Sequence, residues 1–107
     1  RRASLVVENR ASILRERDIM RTEDATTPAR RIYLAVMLMA LDPASKARAF
    51  SEFDGRIKEF AAAVDDAKAL SLCLRIAADV ADSRAYRALG HCRALIALET
   101  EILVHVA

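Results

Sequence analysis

The sequence predicts a mainly α fold: three to four antiparallel helices in a bundle, preceded by a short strand or extended segment. Three observations predict it. Only two Gly and two Pro interrupt 107 residues rich in Ala, Leu and Arg, which are strong helix formers. After Thr27, apolar residues recur mostly at steps of three and four, the period of a helix with one buried face. Helix caps and breakers punctuate that pattern at Thr27-Pro28, Asp42-Pro43, Asp65-Asp66 and Asp82-Ser83.

The elements follow in order. Leu5-Val6-Val7 is short, apolar and partly β-branched, and reads as one strand. Ala11 to Met20 mixes charges with Ile13, Leu14, Ile19 and Met20, and fits either a short strand or a helical turn. Arg21 to Thr27 is polar and reads as a loop. The first helix starts at Thr26 or Thr27, with Pro28 at its first position. Residues 32–41 are apolar on every side, so this helix is expected to be central and buried. It stops before Pro43, because the residue preceding a proline disfavours helical backbone.

The second helix takes Asp42 as cap and Pro43 as its first residue. Phe50, Phe53, Ile57, Phe60 and Val64 form its apolar stripe, while Arg48, Glu52, Arg56 and Glu59 fall off it and are expected in solvent. A third helix begins near Asp65-Asp66 and carries Leu70, Cys73, Leu74, Ala77 and Val80 on one face. No Gly or Pro separates it from the second helix, so one longer helix through residue 64 is the alternative. Asp82 or Ser83 caps a fourth helix, with Tyr86, Leu89, Ile96 and Leu103 at helical spacing and Gly90 placed for a close helix approach. The organisation is a basic N-terminal segment, residues 1–26, with one candidate strand, and a helical bundle domain, residues 27–107. The chain starts Arg1-Arg2 without Met, and residues are expected to have preceded it.

Charge is unevenly placed. The net charge is +2, but residues 1–31 hold eight Arg against five acids, and the rest is slightly acidic. Arg15, Arg17, Arg21, Arg30 and Arg31 are the candidate phosphate-contacting residues. A guanidinium forks onto phosphate, and Arg30 and Arg31 sit where the first turn of a helix also favours anions. The competing reading is a salt-bridge cluster, since Glu16, Asp18, Glu23 and Asp24 lie among them. Tyr33 and Tyr86 are candidate base-stacking residues, although both also suit helix packing.

Other chemistry finds little support. Cys73 and Cys92 form no CxxC or CxxH pattern and read as reduced, partly buried thiols of a cytoplasmic protein. With His91 and His105 they match no zinc spacing, so neither a metal nor a cofactor is expected. There is no phosphate-binding glycine loop, GxSxG or HExxH, and no enzyme is expected. No run of eighteen apolar residues points to a membrane span, and no secretory signal is visible. The surplus of apolar residues on the first helix and at Leu103, Val104 and Val106 points to a partner surface or a dimer interface.

Two stretches carry a family resemblance. Ile13-Leu14-Arg15-Glu16-Arg17-Asp18-Ile19 is followed by Thr27-Pro28-Ala29-Arg30-Arg31-Ile32-Tyr33-Leu34-Ala35-Val36-Met37-Leu38-Met39. Together they resemble the FlbT family of flagellar-biosynthesis repressors. Tyr86-Arg87-Ala88-Leu89 and Leu95-Ile96-Ala97-Leu98-Glu99 are similar to a second family patch, but Gly90 and Leu98 stand where the family tends to have Lys and Tyr. Those two departures remove basic and aromatic character from the fourth helix.

The resemblance implies post-transcriptional control of flagellin through the 5′ untranslated region of its mRNA. It implies as partners the flagellin mRNA leader and a FlaF-like regulator or flagellin. It also implies a β-rich N-terminal part of which Leu5-Val7 is the last strand, its pairing partners missing here, so that the strand is expected to be disordered or to pair with a second copy.

Overall fold

The computed structural model describes residues 19–106, with side chains to Ile102. The expected strand at Leu5-Val7, Arg15 and Arg17, and the side chains of Leu103, Val104, His105 and Val106 lie outside the described residues. Among the described residues the regular structure is helical, with no strand.

Residues 19–27 lead in along the first helix. Met20 packs on the core, and its N–H points to Met37 Sδ at 3.3 Å. A single 3-10 turn, Thr22–Asp24, lies within the expected loop.

Helix α1 is Pro28–Leu41. Thr27 is extended and its Oγ1 accepts the Arg30 N–H at 3.3 Å, with Pro28 pre-set at the first position. Ala29, Ile32, Tyr33, Ala35, Val36, Met37 and Met39 are buried. A side chain like Ile32 stabilises the fold by about 2 kcal/mol relative to exposure. The expected all-round burial fails at one end, where Leu38 and Leu41 are exposed. The helix ends at Asp42, whose extended backbone precedes Pro43.

Asp42 then caps the next element with both oxygens. Oδ1 accepts the Ala44 N–H at 3.2 Å and Oδ2 accepts the Ser45 hydroxyl at 2.8 Å. Pro43–Ser45 is a 3-10 turn, so helix α2, Lys46–Ala63, begins one turn later than the sequence predicts. Its buried stripe is Ala49, Phe53, Ile57 and Phe60. Phe50, expected in that stripe, is exposed at its margin, its ring centroid 6.2 Å from that of Phe53. Extended backbone at Val64 ends α2, which removes the one-long-helix alternative.

Asp66 caps helix α3, Ala67–Ala81, by accepting the Ala69 N–H at 2.9 Å. The buried face is Ala69, Cys73, Ile76 and Asp79. Leu74 and Ala77, expected on it, are exposed, while Leu70 and Val80 are half-buried. Two apolar stripes cross at Cys73, and packing against a single neighbour selects one of them.

The turn to helix α4, Ala85–Val106, corrects the expected cap. Asp82 and Ser83 close α3 rather than open α4. Ser83 has a φ of 60°. Its N–H donates to Val80 O at 3.0 Å, and the Arg84 N–H donates to Asp79 O at 2.7 Å. This is the Schellman arrangement, with Ser in the position that usually falls to Gly. In α4, Ala88, Leu89, Cys92, Leu95 and Glu99 are buried. Gly90 is exposed, and a Cβ there would meet nothing within 4 Å, so it serves no close helix approach.

The helices pack in the order α2, α1, α4, α3, with α2 and α3 meeting little. Residue pairing shows the directions. Ala29 meets Glu99 and Tyr33 meets Arg93, so α1 and α4 run antiparallel. Asp79 meets both Arg87 and His91 across α3 and α4.

Candidate functional site

Two grooves flank the start of α1. The first lies between α1 and α2 and holds about 370 Å³. Leu34, Ala35, Leu38 and Ala49 give it an apolar lining, and Arg31, Arg48 and Arg56 line it as well. Arg48, Glu52 and Arg56 are spaced four apart on α2, so they form one row on a single side of the helix. Arg56 is matched by Glu52 at 3.0 Å and approached by Glu59 at 3.9 Å. Arg31 and Arg48 have no carboxylate partner among the described residues.

Three of the five expected arginines lie among the described residues. Arg31 reaches the groove. Arg21 is exposed near its end and sits 3.8 Å from Glu23 and 3.6 Å from Asp24, as the salt-bridge reading anticipates. Arg30 is half-buried and lines neither groove. Arg15 and Arg17 lie outside the described residues. Arg48 and Arg56 line the groove beside Arg31. Their spacing of eight residues, about two helical turns, was the available signal, but only the tertiary packing of α2 turns that row toward α1.

The second groove holds about 540 Å³ at the meeting of the α1 N-terminus, the α2 C-terminus and late α4. Pro28, Phe60, Ala63, Val64 and Ile102 give it a mainly apolar wall. Arg31 and Arg56 line both grooves and stand between them. Glu99 lines the second groove although it is only 7% exposed. Its Oε2 accepts the Ala29 N–H at 3.0 Å. A buried carboxylate thereby occupies the positive end of α1. Glu99 was legible as a residue of α4 but not as a buried one.

The remaining candidates resolve into structural roles. Tyr33 is buried, with the Arg93 guanidinium 5.8 Å from its ring centroid, and presents no open face to a base. Tyr86 is half-buried against the core. His91 Nδ1 lies 2.8 Å from Asp79 Oδ2, and Arg87 Nε is 3.8 Å from Asp79 Oδ1. Asp79 is itself buried, so this cluster ties α3 to α4. Cys73 and Cys92 are buried free thiols. Burial pushes both pKa values up, that of Cys92 to about 12, with Arg93 pulling the other way and Cys73 adding to the rise. No group of three or more His, Cys, Asp or Glu suited to a metal ion occurs among the described residues. Among them no helix is long and apolar enough to cross a membrane.

Among the described residues, fold and grooves define a helical bundle with one basic and one apolar groove sharing a wall. The chain belongs to the FlbT family: the family profile described as "Flagellar protein FlbT" matches residues 1–103. It is 46% identical over 107 residues to the "Probable flagellum biosynthesis repressor protein FlbT" of Caulobacter sp. (strain K31), spanning 100% of this chain and 82% of that one. The "Flagellum biosynthesis repressor protein FlbT" of Caulobacter vibrioides (strain ATCC 19089 / CIP 103742 / CB 15) is 43% identical, with 100% and 76% covered. The "Probable" protein of that name from Brucella ovis is 32% identical over 103 residues, covering 96% and 68%. No solved structure matches the chain significantly.

Proposed function

We propose that this chain represses flagellum biosynthesis after transcription, by binding the 5′ untranslated region of flagellin mRNA. The relatives' names support the repressor role. The observation that carries the RNA reading is the basic groove, where Arg31 and Arg48 stand beside Arg56 without carboxylate partners among the described residues. Unmatched guanidinium groups along one groove suit a phosphate backbone, and such contacts dominate nucleic-acid affinity. Arg15 and Arg17 extend the same reading into the N-terminal segment. The test is binding of a labelled flagellin leader across a salt titration, for the wild type, the Arg31→Ala/Arg48→Ala double variant and the Arg15→Ala/Arg17→Ala double variant. Binding that ignores salt and survives both double variants defeats the RNA reading.

The apolar groove supports a second reading, a protein-interaction module that binds a FlaF-like regulator or flagellin and affects RNA only indirectly. Its apolar wall, with Phe60 beside the exposed Ala63, is the observation in its favour. Co-purification of the chain with each protein, with and without Ala63→Glu, tests it. Absence of any complex, or a complex indifferent to Ala63→Glu, counts against this groove as the contact.

A further inference from the structure

We infer that the apolar groove takes a protein segment that inserts a single Lys or Arg side chain, flanked by apolar residues, onto Glu99. The inference rests on the reading of this groove as a protein-binding site, and it names what the groove selects.

Glu99 is buried, yet only one of its two carboxylate oxygens accepts a hydrogen bond from a described residue. Oε2 accepts the Ala29 N–H, whereas Oε1 accepts no hydrogen bond from any described residue. An ionised carboxylate has two oxygens and about four acceptor sites. The groove offers a donor a route to it, since Glu99 lines that cavity.

Shape and charge narrow the occupant. The wall of Pro28, Phe60, Ala63, Val64 and Ile102 suits the methylene stem of a long side chain and apolar residues beside it. The carboxylate at the end of that wall suits a cation. Arg31 and Arg56 also line the groove and oppose this, so depth decides. Arg31 is exposed and its field is screened by water. Arg56 is already matched by Glu52 and Glu59. Glu99 is desolvated, and there a charge-assisted hydrogen bond counts for more. An acidic segment would meet Glu99 and Glu59 in the same space and is disfavoured.

The test uses the whole chain and three fluorescently labelled helical peptides of Leu and Ala, identical except for a central Lys, Gln or Glu. Binding is read by anisotropy up to millimolar peptide. The Lys peptide is expected to bind about tenfold more tightly than the Gln peptide, and the Glu peptide most weakly. Glu99→Gln keeps an acceptor for the Ala29 N–H and is expected to erase the Lys preference, bringing the Lys and Gln peptides to equal affinity. Ala63→Glu is expected to weaken binding of the Gln peptide, which carries no charge to offset the lost apolar contact. Circular dichroism confirms that each variant folds. Peptides that bind equally well, or a Lys preference that persists in Glu99→Gln, overturn the Glu99 inference but leave the groove standing. No binding of any peptide overturns both.

Discussion

The Glu99 carboxylate accepts the Ala29 N–H at 3.0 Å across 70 residues of sequence. It is thus a cap for α1 supplied by α4. Thr27 satisfies the Arg30 N–H from within the chain's own turn, and Glu99 satisfies its neighbour from outside. The pairing ties the start of α1 to late α4 at one wall of the apolar groove.

Glu99→Ala is therefore expected to destabilise the fold by about 2 kcal/mol, the cost of a lost charged hydrogen bond and an unsatisfied helix terminus. Glu99→Gln retains an acceptor and is expected to cost about 1 kcal/mol, from the lost charge–dipole attraction. Urea denaturation of the two variants checks the order. Equal losses in both would show that charge alone matters and that the hydrogen bond to Ala29 does not.

Ser83 holds a left-handed backbone that disfavours residues with a Cβ. Ser83→Gly is expected to raise stability by about 0.5–1 kcal/mol, because Gly adopts that conformation without the steric cost. A midpoint shift to higher urea with an unchanged slope is the signature to look for. A lower midpoint would show that the freedom Gly adds to the unfolded chain outweighs the relief.

Much of this fold is legible in the sequence because its helix ends are chemically marked. Thr27-Pro28, Asp42-Pro43 and Asp66 each have a side chain that accepts a backbone N–H where a helix begins. The Asp82-Ser83 turn was legible as a break but not as a C-cap, because Ser has no preference that marks the left-handed position. Facing directions were harder. Cys73 belongs to two crossing stripes, and the choice between Leu74 and Ile76 depends on where α4 lies. The candidate site was the least legible part. Arg31 was found from its place in the first turn of α1. Arg48, Arg56 and Glu99 lie on other helices and meet it only through tertiary packing.

Gly55 and Gly90 are exposed helix-interior positions, and a Cβ at either meets nothing within 4 Å. Gly55→Ala and Gly90→Ala are each expected to stabilise by about 0.5–1 kcal/mol, from helix propensity alone. They lie on α2 and α4 without shared partners, so the double variant is expected to show the sum. Thermal denaturation of the singles and the double checks this. A loss at either position would overturn the reading that a Cβ fits there freely.

Cys92 links stability to alkaline pH. Burial raises its pKa from 9.0 to about 12, so the fold keeps the thiol neutral while the unfolded chain ionises it. Below pH 9 both states are protonated and the contribution is complete. As pH rises from about 9 towards 12, the unfolded state releases a proton that the native state holds, and stability falls by about 1.4 kcal/mol per pH unit. Cys73 shifts in the same direction and adds to the loss. Lysines and tyrosines titrate in this range too, so the informative quantity is the difference between wild type and Cys92→Ala at pH 8, 9 and 10. A difference that does not change with pH would mean that the thiol ionises equally in both states.

The basic groove makes a quantitative claim about salt. Each phosphate contact on single-stranded RNA contributes about 0.7 to the slope of log affinity against log salt. Removing Arg31 and Arg48 together is therefore expected to lower that slope by about 1.4 for a flagellin leader, with affinity falling about tenfold or more at low salt. Arg56 is already engaged by Glu52 at 3.0 Å, so Arg56→Ala is expected to change the slope less than either unpaired arginine. Loss in the order Arg31 or Arg48 before Arg56 locates the phosphate backbone in this groove. An unchanged slope in the double variant, with a reduced one in Arg15→Ala/Arg17→Ala, moves the RNA contact to the N-terminal segment.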